Sequence, residues 1–209
     1  RFQIKVIFRN YAQASAISST TVFITIVNVD QTSMALSLTN YPVAYPKTGT
    51  FTLSKIQCTG VYQQAEISAT VLTKYGTATY GTHTVTSGTS FTSNNTSVAS
   101  ITGNIVTGVS TGSVTLTGSF LSSSKTIALQ VPNSPVYVNS ATLTYGVSSL
   151  NGYIDTTTAT ATVALTFNDG TRYTNAVDQF GPRGTLSNLI TFASSDPFRL
   201  SIDTSGKVT

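Results

Sequence analysis

The chain has 209 residues, of which 40% are hydrophobic and only 9% are charged. Because an ordinary soluble domain has about 25% charged residues, the surface must be solvated largely by Ser and Thr hydroxyls, a composition common in secreted and surface proteins. The net charge of +4 comes from basic residues that are scattered along the sequence, so no basic stripe indicates nucleic-acid binding. We therefore expect an extracellular or cell-surface protein.

From the first residues onward, short runs alternate between apolar and polar side chains. In the first run Phe2, Ile4 and Val6 take every second position, which is the period of a half-buried strand. Gly, Asn, Ser and Pro interrupt such runs every ~8–12 residues, as in a β-sandwich. No window of a dozen residues combines helical apolar spacing with capping residues. The predicted fold class is therefore all-β.

Several segments recur after about 100 residues. Residues 93–107 and 194–209 each contain a polar turn, a short strand, a glycine turn and the start of another strand. Gly103 aligns with Gly206 at an offset of 103, and Gly76 with Gly170 at an offset of 94. The other matches are residues 114–120 with 2–8, at an offset of 112, and residues 125–131 with 21–27, at an offset of 104. A repeat of this length predicts a tandem array of small domains.

The repeat divides the chain into three parts. Residues 1–30 are predicted to be the last strands of one domain, residues 31–133 a complete domain, and residues 134–209 an incomplete domain that lacks its last strands. The predicted linkers, residues 28–30 and 131–135, are short, and prolines restrict the second one. Short linkers predict a rod-like array rather than beads on a flexible string.

The phase of the repeat suggests a fragment or processed piece of a longer protein. About five residues, equivalent to residues 108–112, would join the end of the chain to its own beginning. One explanation is an arbitrary cut through a long array. The other is that residues 1–29 complete the open third domain of a neighbouring copy by strand addition. The second explanation predicts a ladder between residues 1–29 and residues 134–209.

The densest sequence signature lies between residues 91 and 120. It reads Ser93-Asn94-Asn95, Val98-Ala99-Ser100-Ile101, Gly103-Asn104-Ile105-Val106-Thr107, Gly112 and Val114-Thr115-Leu116-Thr117. This pattern resembles the bacterial Ig-like group 2 domain (BIG2) of invasin- and intimin-type adhesins. Asp169-Gly170-Thr171 resembles the turn of the same family, whereas Lys74-Tyr75-Gly76 departs from it. The resemblance implies tandem Ig-like β-sandwich domains, which would divide as above: the last strands of one, a complete one and an incomplete one.

The glycines of this signature are predicted turn positions. Gly103 and Gly206 are expected where a tight connection needs a positive φ, Gly112 marks the next turn, and Gly170 follows Asp169, which we expect to serve the turn. The apolar positions expected inside the sandwich, on the one buried face of the sheet, are Val98, Ile101, Ile105, Val114 and Leu116.

Residues that could carry chemistry are few. His83 is the only histidine, and no acid lies near it in the sequence, so a Ser-His-Asp arrangement has little support. One Cys and one His do not supply the three or four ligands of a zinc site. The acids are too few and too dispersed for a pair of facing carboxylates, and Asp30 stands alone at a predicted linker. We expect no catalytic residues, no metal and no cofactor.

Two kinds of covalent modification remain open. Cys58 is the only cysteine, so it is either a small buried apolar residue or a thiol that pairs with a cysteine outside this chain. Asn94 and Asn95 both begin N-glycosylation sequons in a predicted exposed turn, although only one of them could readily carry a glycan. No apolar run approaches the ~18 residues of a transmembrane helix, so we expect no membrane insertion.

These observations favour a non-enzymatic spacer, stalk or filament-building segment of a large surface repeat protein, with head-to-tail assembly as one option. Its partners would be neighbouring Ig-like domains of the same or an adjacent chain. The alternative is an adhesion module that binds a host receptor or glycan. Such a module should carry a concave patch of exposed aromatic or acidic residues on one domain only.

Overall fold

The computed structural model describes residues 2–9, 16–24, 28–43, 50–147, 149, 158–180 and 189–208, with the first two ranges described by their backbone. The described chain is all-β, as the sequence predicts, with several antiparallel sheets that are consistent with a β-sandwich. Its strands are β1 (Phe2–Arg9), β2 (Ala16–Ile24), β3 (Asn28–Tyr41), β4 (Phe51–Thr52), β5 (Gln64–Tyr75), β6 (Ala78–Thr84), β7 (Ser90–Ser93), β8 (Ala99–Thr102), β9 (Ile105–Gly108), β10 (Gly112–Phe120), β11 (Ser123–Val131), β12 (Val138–Tyr145), β13 (Ala159–Phe167), β14 (Arg172–Tyr173) and β15 (Lys207–Val208).

Two short helical segments correct the prediction that the chain contains only strands. Residues Thr86–Gly88 form a 3₁₀ turn, and Ala176–Phe180 form the helix α1. Ala176 and Phe180 are both buried, because positions four apart lie on the same face of a helix. A helix of five residues is too short to show a repeating period in the sequence, which is why the pattern gave no sign of it.

Residues 28–131, which we call the central unit, contain two sheets with a common core. One sheet has the order β4-β11-β10-β7, and the other has the order β3-β5-β9-β8 with β6 also paired to β5. The alternation along β5 buries Ala65, Ile67, Ala69 and Val71 on one face. The residues of the shared core are Phe51, Leu53, Ala65, Ile67, Val98, Ala99, Val106, Val114, Leu116, Leu129 and Val131.

The predicted interior positions are largely confirmed. Val98, Val114 and Leu116 are buried, and Ile101 packs against the same core. The prediction for Ile105 is wrong, because this residue is only half-buried while the next residue, Val106, is fully buried. Val106 pairs with Ala65 on β5, so the register of that pair, rather than apolar character alone, decides which of two adjacent apolar residues faces inward.

The strands β1 and β2 form a two-stranded antiparallel hairpin, which we call the N-terminal hairpin. Among the described residues this hairpin pairs only with itself, so the ladder with residues 134–209 that strand addition predicts is absent from the described part of the chain. Its register pairs Ile4 with Val22, whereas β10 and β11 pair Leu116 with Ile127. If Ile4 is equivalent to Leu116 at the offset of 112, Val22 is equivalent to Ile127. The offset between β2 and β11 is then 105, whereas the sequence alignment predicted 104.

The predicted linker at residues 28–30 is wrong, since these residues belong to β3. Asn28 pairs with Lys74 and Asp30 with Leu72 at the far end of β5. Lys74 Nζ also lies 2.6 Å from Asp30 Oδ2. The polar residues of this segment therefore pair with a neighbouring strand and make an ion pair, two roles that composition alone does not distinguish from a linker.

Residues 136–208, which we call the following unit, repeat the ladder of the central unit. Strands β12, β13 and β14 form a sheet, and β15 also pairs with β13. Leu143 on β12 lies opposite Val163, as Leu36 on β3 lies opposite Ala69. The offsets of this correspondence are 107 for the first strand and 94 for the second. The offset of 94 for the second strand equals the offset between Gly76 and Gly170 in the sequence.

The polar turns at Ser93 and Ser194 also correspond in detail. The Asn95 amide donates to Ser93 Oγ at 3.3 Å, and the Asp196 amide donates to Ser194 Oγ at 3.2 Å. In both turns the residue two positions after the serine, Asn95 or Asp196, also accepts hydrogen bonds through its backbone carbonyl. The donors are the backbone amides three and four residues further on. The sequence repeat is therefore a repeat of backbone structure at these positions.

Candidate functional site

The contact between the central and following units is the most developed site in the described chain. Residues 53–63, which we call the junction hairpin, leave the core of the central unit, turn and return. Lys55 and Tyr62 form an antiparallel bridge, and the Ile56 amide donates to the Val61 carbonyl at 2.8 Å. The tip is a tight turn in which Cys58 has a φ of +67°.

The junction hairpin places two neighbouring apolar side chains in different cores. Leu53 is fully buried in the core of the central unit. Ile56 is 1% exposed and lies in the core of the following unit, beside Val136 and Phe167. Because they are three positions apart along an extended segment, their side chains point to opposite sides, and one hairpin contributes to both cores.

Backbone hydrogen bonds hold the junction hairpin to the start of the following unit. Ile56 and Val136 form a parallel bridge. The Gln57 amide donates to the Val136 carbonyl, and the Val136 amide donates to the Lys55 carbonyl, both at 2.8 Å. The segment that links the two units is thereby paired to the hairpin immediately after the prolines at 132 and 135.

Gln63 makes a second connection through its side-chain amide. Its Oε1 accepts from the Ser54 amide at 2.9 Å, and its Nε2 donates to Asp169 Oδ2 at 2.9 Å and to Thr171 Oγ1 at 2.8 Å. Gln63 and Thr171 are each 1% exposed. Both amide hydrogens and the oxygen are used, so the buried amide has no unsatisfied donor. It joins the two units through residues that are 106 positions apart in the sequence.

Asp169 serves the turn that the sequence assigned to it and also accepts from Gln63. Its Oδ1 accepts from the Thr171 amide at 3.0 Å, and its Oδ2 from Thr171 Oγ1 at 3.1 Å. At the equivalent turn of the central unit the residue is Tyr75, which is exposed. The carboxylate that completes this junction is therefore specific to the following unit.

The glycines singled out in the sequence occupy turns or close approaches. The φ angles of Gly103, Gly170 and Gly206 are +62°, +86° and +78°. Gly112 begins β10, where a Cβ atom would lie 2.9 Å from Val98 Cγ2. These positions fix the turns of the two ladders; they do not gather around a cavity.

Cys58 is exposed at the tip of the junction hairpin. The interpretation of this residue as a small buried apolar side chain is therefore wrong, and pairing with a cysteine outside the chain stays a prediction. Asn94 and Asn95 are also exposed. Asn94 Oδ1 accepts from the Thr115 amide at 2.9 Å and Asn95 Oδ1 from the Ser97 amide at 3.2 Å. The two side-chain oxygens thus stabilise the turn. Glycosylation uses the side-chain nitrogen instead, and it stays a prediction for both asparagines.

The ionisable residues of the described chain do not converge on one point. His83 is exposed on β6. The hydrogen bond from Lys74 is the main cause that lowers the pKa of Asp30, and hydrogen bonds from Ser205 and the Lys207 amide lower the pKa of Asp203. Within the described ranges no group of three His, Cys, Asp or Glu residues could hold a metal ion.

A shallow groove beside β5 and β9 lies on the surface of the central unit, away from the junction. Asn104 Nδ2 donates to Glu66 Oε1 at 2.8 Å inside it, and the aromatic ring of Phe91 is half-buried. The lining residues are Glu66, Ser68, Thr84, Thr86, Ser87, Thr89, Phe91, Gly103 and Asn104. Six of these nine residues carry a hydroxyl or amide side chain, and only Glu66 and Phe91 are acidic or aromatic, so the groove does not contain the aromatic or acidic patch that adhesion predicts.

Sequence reasoning did not identify Ile56 and Gln63 as junction residues. A glutamine beside the alternating run of β5 gives a weak signal, because a buried polar residue needs a partner. That partner, Asp169, belongs to the following unit, and no local pattern connects the two. No protein-family model and no curated protein matches the chain. No helix in the described part of the chain is long and apolar enough to cross a membrane.

Proposed function

We propose that the chain is a non-enzymatic spacer segment of a large extracellular or cell-surface repeat protein, built from tandem Ig-like β-sandwich units in a rod-like array. The low charge and hydroxyl-rich composition support the location. The recurrence of the β3–β5 ladder as β12–β13, at offsets of 107 and 94, supports the array. Units of this kind are suited to hold other parts of a protein at a fixed distance.

The junction hairpin is the observation that carries this proposal. A flexible linker would leave the residues between two units exposed, whereas here Ile56 and Gln63 are buried at the contact. Two routes therefore connect the units: the covalent segment at residues 132–135, and the hairpin that the central unit inserts into the following unit. Two separate connections resist bending and twisting better than one.

The chemistry of the contact sets the free energy needed to bend it. Exposing Ile56 to water would cost about 1.5–3 kcal/mol. Breaking each hydrogen bond of the Gln63 amide would cost about 0.5–1.5 kcal/mol when water replaces the partner. A bend that opens the contact loses these terms together. We therefore expect a single preferred angle between the two units in solution.

Distances between the units test this proposal directly. Spin labels on cysteines introduced at Ser87 in the central unit and Thr162 in the following unit, both exposed, would be measured in a C58S background by double electron–electron resonance. We expect a single narrow distance distribution. In the double variant I56A/Q63A the distribution should broaden, because both side-chain contacts of the hairpin are lost and only its backbone hydrogen bonds to Val136 remain.

The Q64A variant is a matched control. Gln64 is next to Gln63, but its Nε2 donates to Thr107 Oγ1 at 2.8 Å inside the central unit. Its removal should leave the width of the distribution unchanged. A broad distribution in the parent protein, or equal broadening in Q64A and I56A/Q63A, would contradict a rigid junction at Ile56 and Gln63.

A further inference from the structure

One leucine on the inner face of β12 in the following unit is exposed where its counterpart in the central unit is covered. Leu143 on β12 is 54% exposed. Leu36, at the equivalent position of β3, packs against the core of the central unit. The two leucines have the same place in the same ladder, so the difference lies in what covers them.

In the central unit the cover over Leu36 is the β10–β11 hairpin. Gly118 on β10 approaches so closely that a Cβ atom there would lie 2.8 Å from Leu36 Cδ2. The following unit has β12, β13, β14 and β15 in one ladder system, and none of its described strands takes the place of β10 and β11. Leu143 is exposed at the position that a hairpin of this type would cover.

The N-terminal hairpin has the sequence pattern of that cover. At the offset of 112, Phe2, Ile4 and Val6 on β1 take the positions of Val114, Leu116 and Gly118 on β10. The two registers then place Val22 and Ile24 of β2 at the positions of Ile127 and Leu129 of β11. Apolar residues thus coincide at four of these five positions, and Val6 takes the position that faces Leu36 in the central unit.

The attachment point of the N-terminal hairpin lies away from the following unit. The hairpin joins β3 at Asn28, which pairs with Lys74, whereas the other end of β3, Tyr41, pairs with Gln64 beside the junction. The 14 residues of β3 span about 45 Å at roughly 3.3 Å per residue. Residues 25–27 can bridge only about 14 Å. The hairpin is therefore attached at the end of β3 that lies away from the junction with the following unit.

We propose that the inner face of β12 receives the N-terminal hairpin of a second copy of this chain, with Val6 of one copy against Leu143 of the other. Because donor and acceptor surfaces differ, the contact is heterologous and adds copies head to tail. This inference rests on the spacer function and names its partner. Val6 has a larger side chain than Gly118, so the hairpin cannot approach Leu143 as closely as Gly118 approaches Leu36.

Disulfide trapping tests the predicted pair. In a C58S background, the double variant V6C/L143C would be oxidised with copper phenanthroline and separated on a non-reducing gel. We expect a ladder of covalent dimers and larger species. The matched control is K5C/L143C, because Lys5 is the next residue on β1 and adjacent strand residues point to opposite faces. Its cross-linked fraction should be at least tenfold smaller.

Sedimentation gives an independent measurement. The parent chain should form concentration-dependent oligomers, while L143E, which changes an exposed residue of the single copy, should stay monomeric. Equal ladders in both cysteine pairs, a disulfide within one chain, or a parent that is monomeric at every concentration would each overturn the proposal. None of these outcomes alters the distance test between Ser87 and Thr162, so failure of the assembly and failure of the rigid junction can be told apart.

Discussion

The central and following units place equivalent residues in equivalent ladders but build their cores from different parts. The central unit closes its core with two sheets, in which β10 and β11 cover β3 and β5. The following unit packs Phe167, Tyr173 and Phe180 in edge-to-face pairs, with ring centroids 5.7 and 6.2 Å apart. It also takes Ile56 from the junction hairpin. Strand pairing is thus repeated along the chain, whereas the filling of the core is not.

The same contrast holds for the turns. Asp169 binds the turn residue Thr171 and the junction residue Gln63 together. Tyr75 has the equivalent position in the central unit and is exposed. A turn can therefore keep its backbone form while one side chain decides whether it also binds a neighbouring unit. The junction that Asp169 completes is not available at the turn of Tyr75.

The largest expected effect is a loss of stability that differs between the cores of the two units. L53A removes a buried side chain from the central unit and I56A removes one from the following unit, and each should cost about 2–5 kcal/mol. Hydrogen exchange should show faster opening of β10 in L53A and of β13 in I56A. Lys55 lies between them and is exposed, so K55A is the matched control and should change neither. Equal losses in both strands from either variant would mean that the two cores are one cooperative unit.

A smaller difference is expected at the two equivalent glycines. Both have positive φ, so alanine at either position costs about 1–2 kcal/mol from backbone strain. No atom lies within 4 Å of a Cβ placed at Gly103, whereas at Gly206 the Cβ would be 2.8 Å from Ala161 Cβ and Phe192 Cζ. Overpacking should therefore add about 1–3 kcal/mol in G206A.

Urea unfolding of the two variants measures this difference. G206A should unfold at a lower urea concentration than G103A. The variant G206A/F192A removes the ring that meets the new methyl group, and it should cost less than the sum of the two single substitutions. Equal midpoints for G103A and G206A would show that the backbone angle alone governs both turns.

Local features of the fold could be predicted from the sequence, because they depend on neighbouring residues. The alternation of Ala65, Ile67, Ala69 and Val71 follows from the two-residue period of a strand. The turns at Ser93 and Ser194 repeat because short polar side chains bind nearby amides. Ile105 and Val106 show where such prediction fails. When two adjacent residues are both apolar, the two-residue period of a strand does not tell which of them faces the core.

The candidate site could not be predicted, because its contacts are distant in sequence. Gln63 and Asp169 are 106 residues apart, and Ile56 enters a core formed mainly by later strands. The linker predicted at residues 28–30 was misjudged because Asp30 and Asn28 are polar, yet they pair with Leu72 and Lys74. Polar residues are common both at the edge of a sheet and in loops, so composition alone does not distinguish the two. Tandem Ig-like domains and their boundaries stay predictions on this basis.

The smallest effect compares the two equivalent leucines themselves. L36A removes a side chain that packs under Gly118 and should cost about 2 kcal/mol. L143A removes a side chain that is 54% exposed, and at low protein concentration it should cost less than about 0.5 kcal/mol. Urea unfolding measures both, and repeating it at higher concentration adds a second test. Because a second copy covers Leu143 in the proposed assembly, the cost of L143A should rise with protein concentration while that of L36A stays constant. A cost for L143A that equals that of L36A in dilute solution would mean that the inner face of β12 is already covered within one copy.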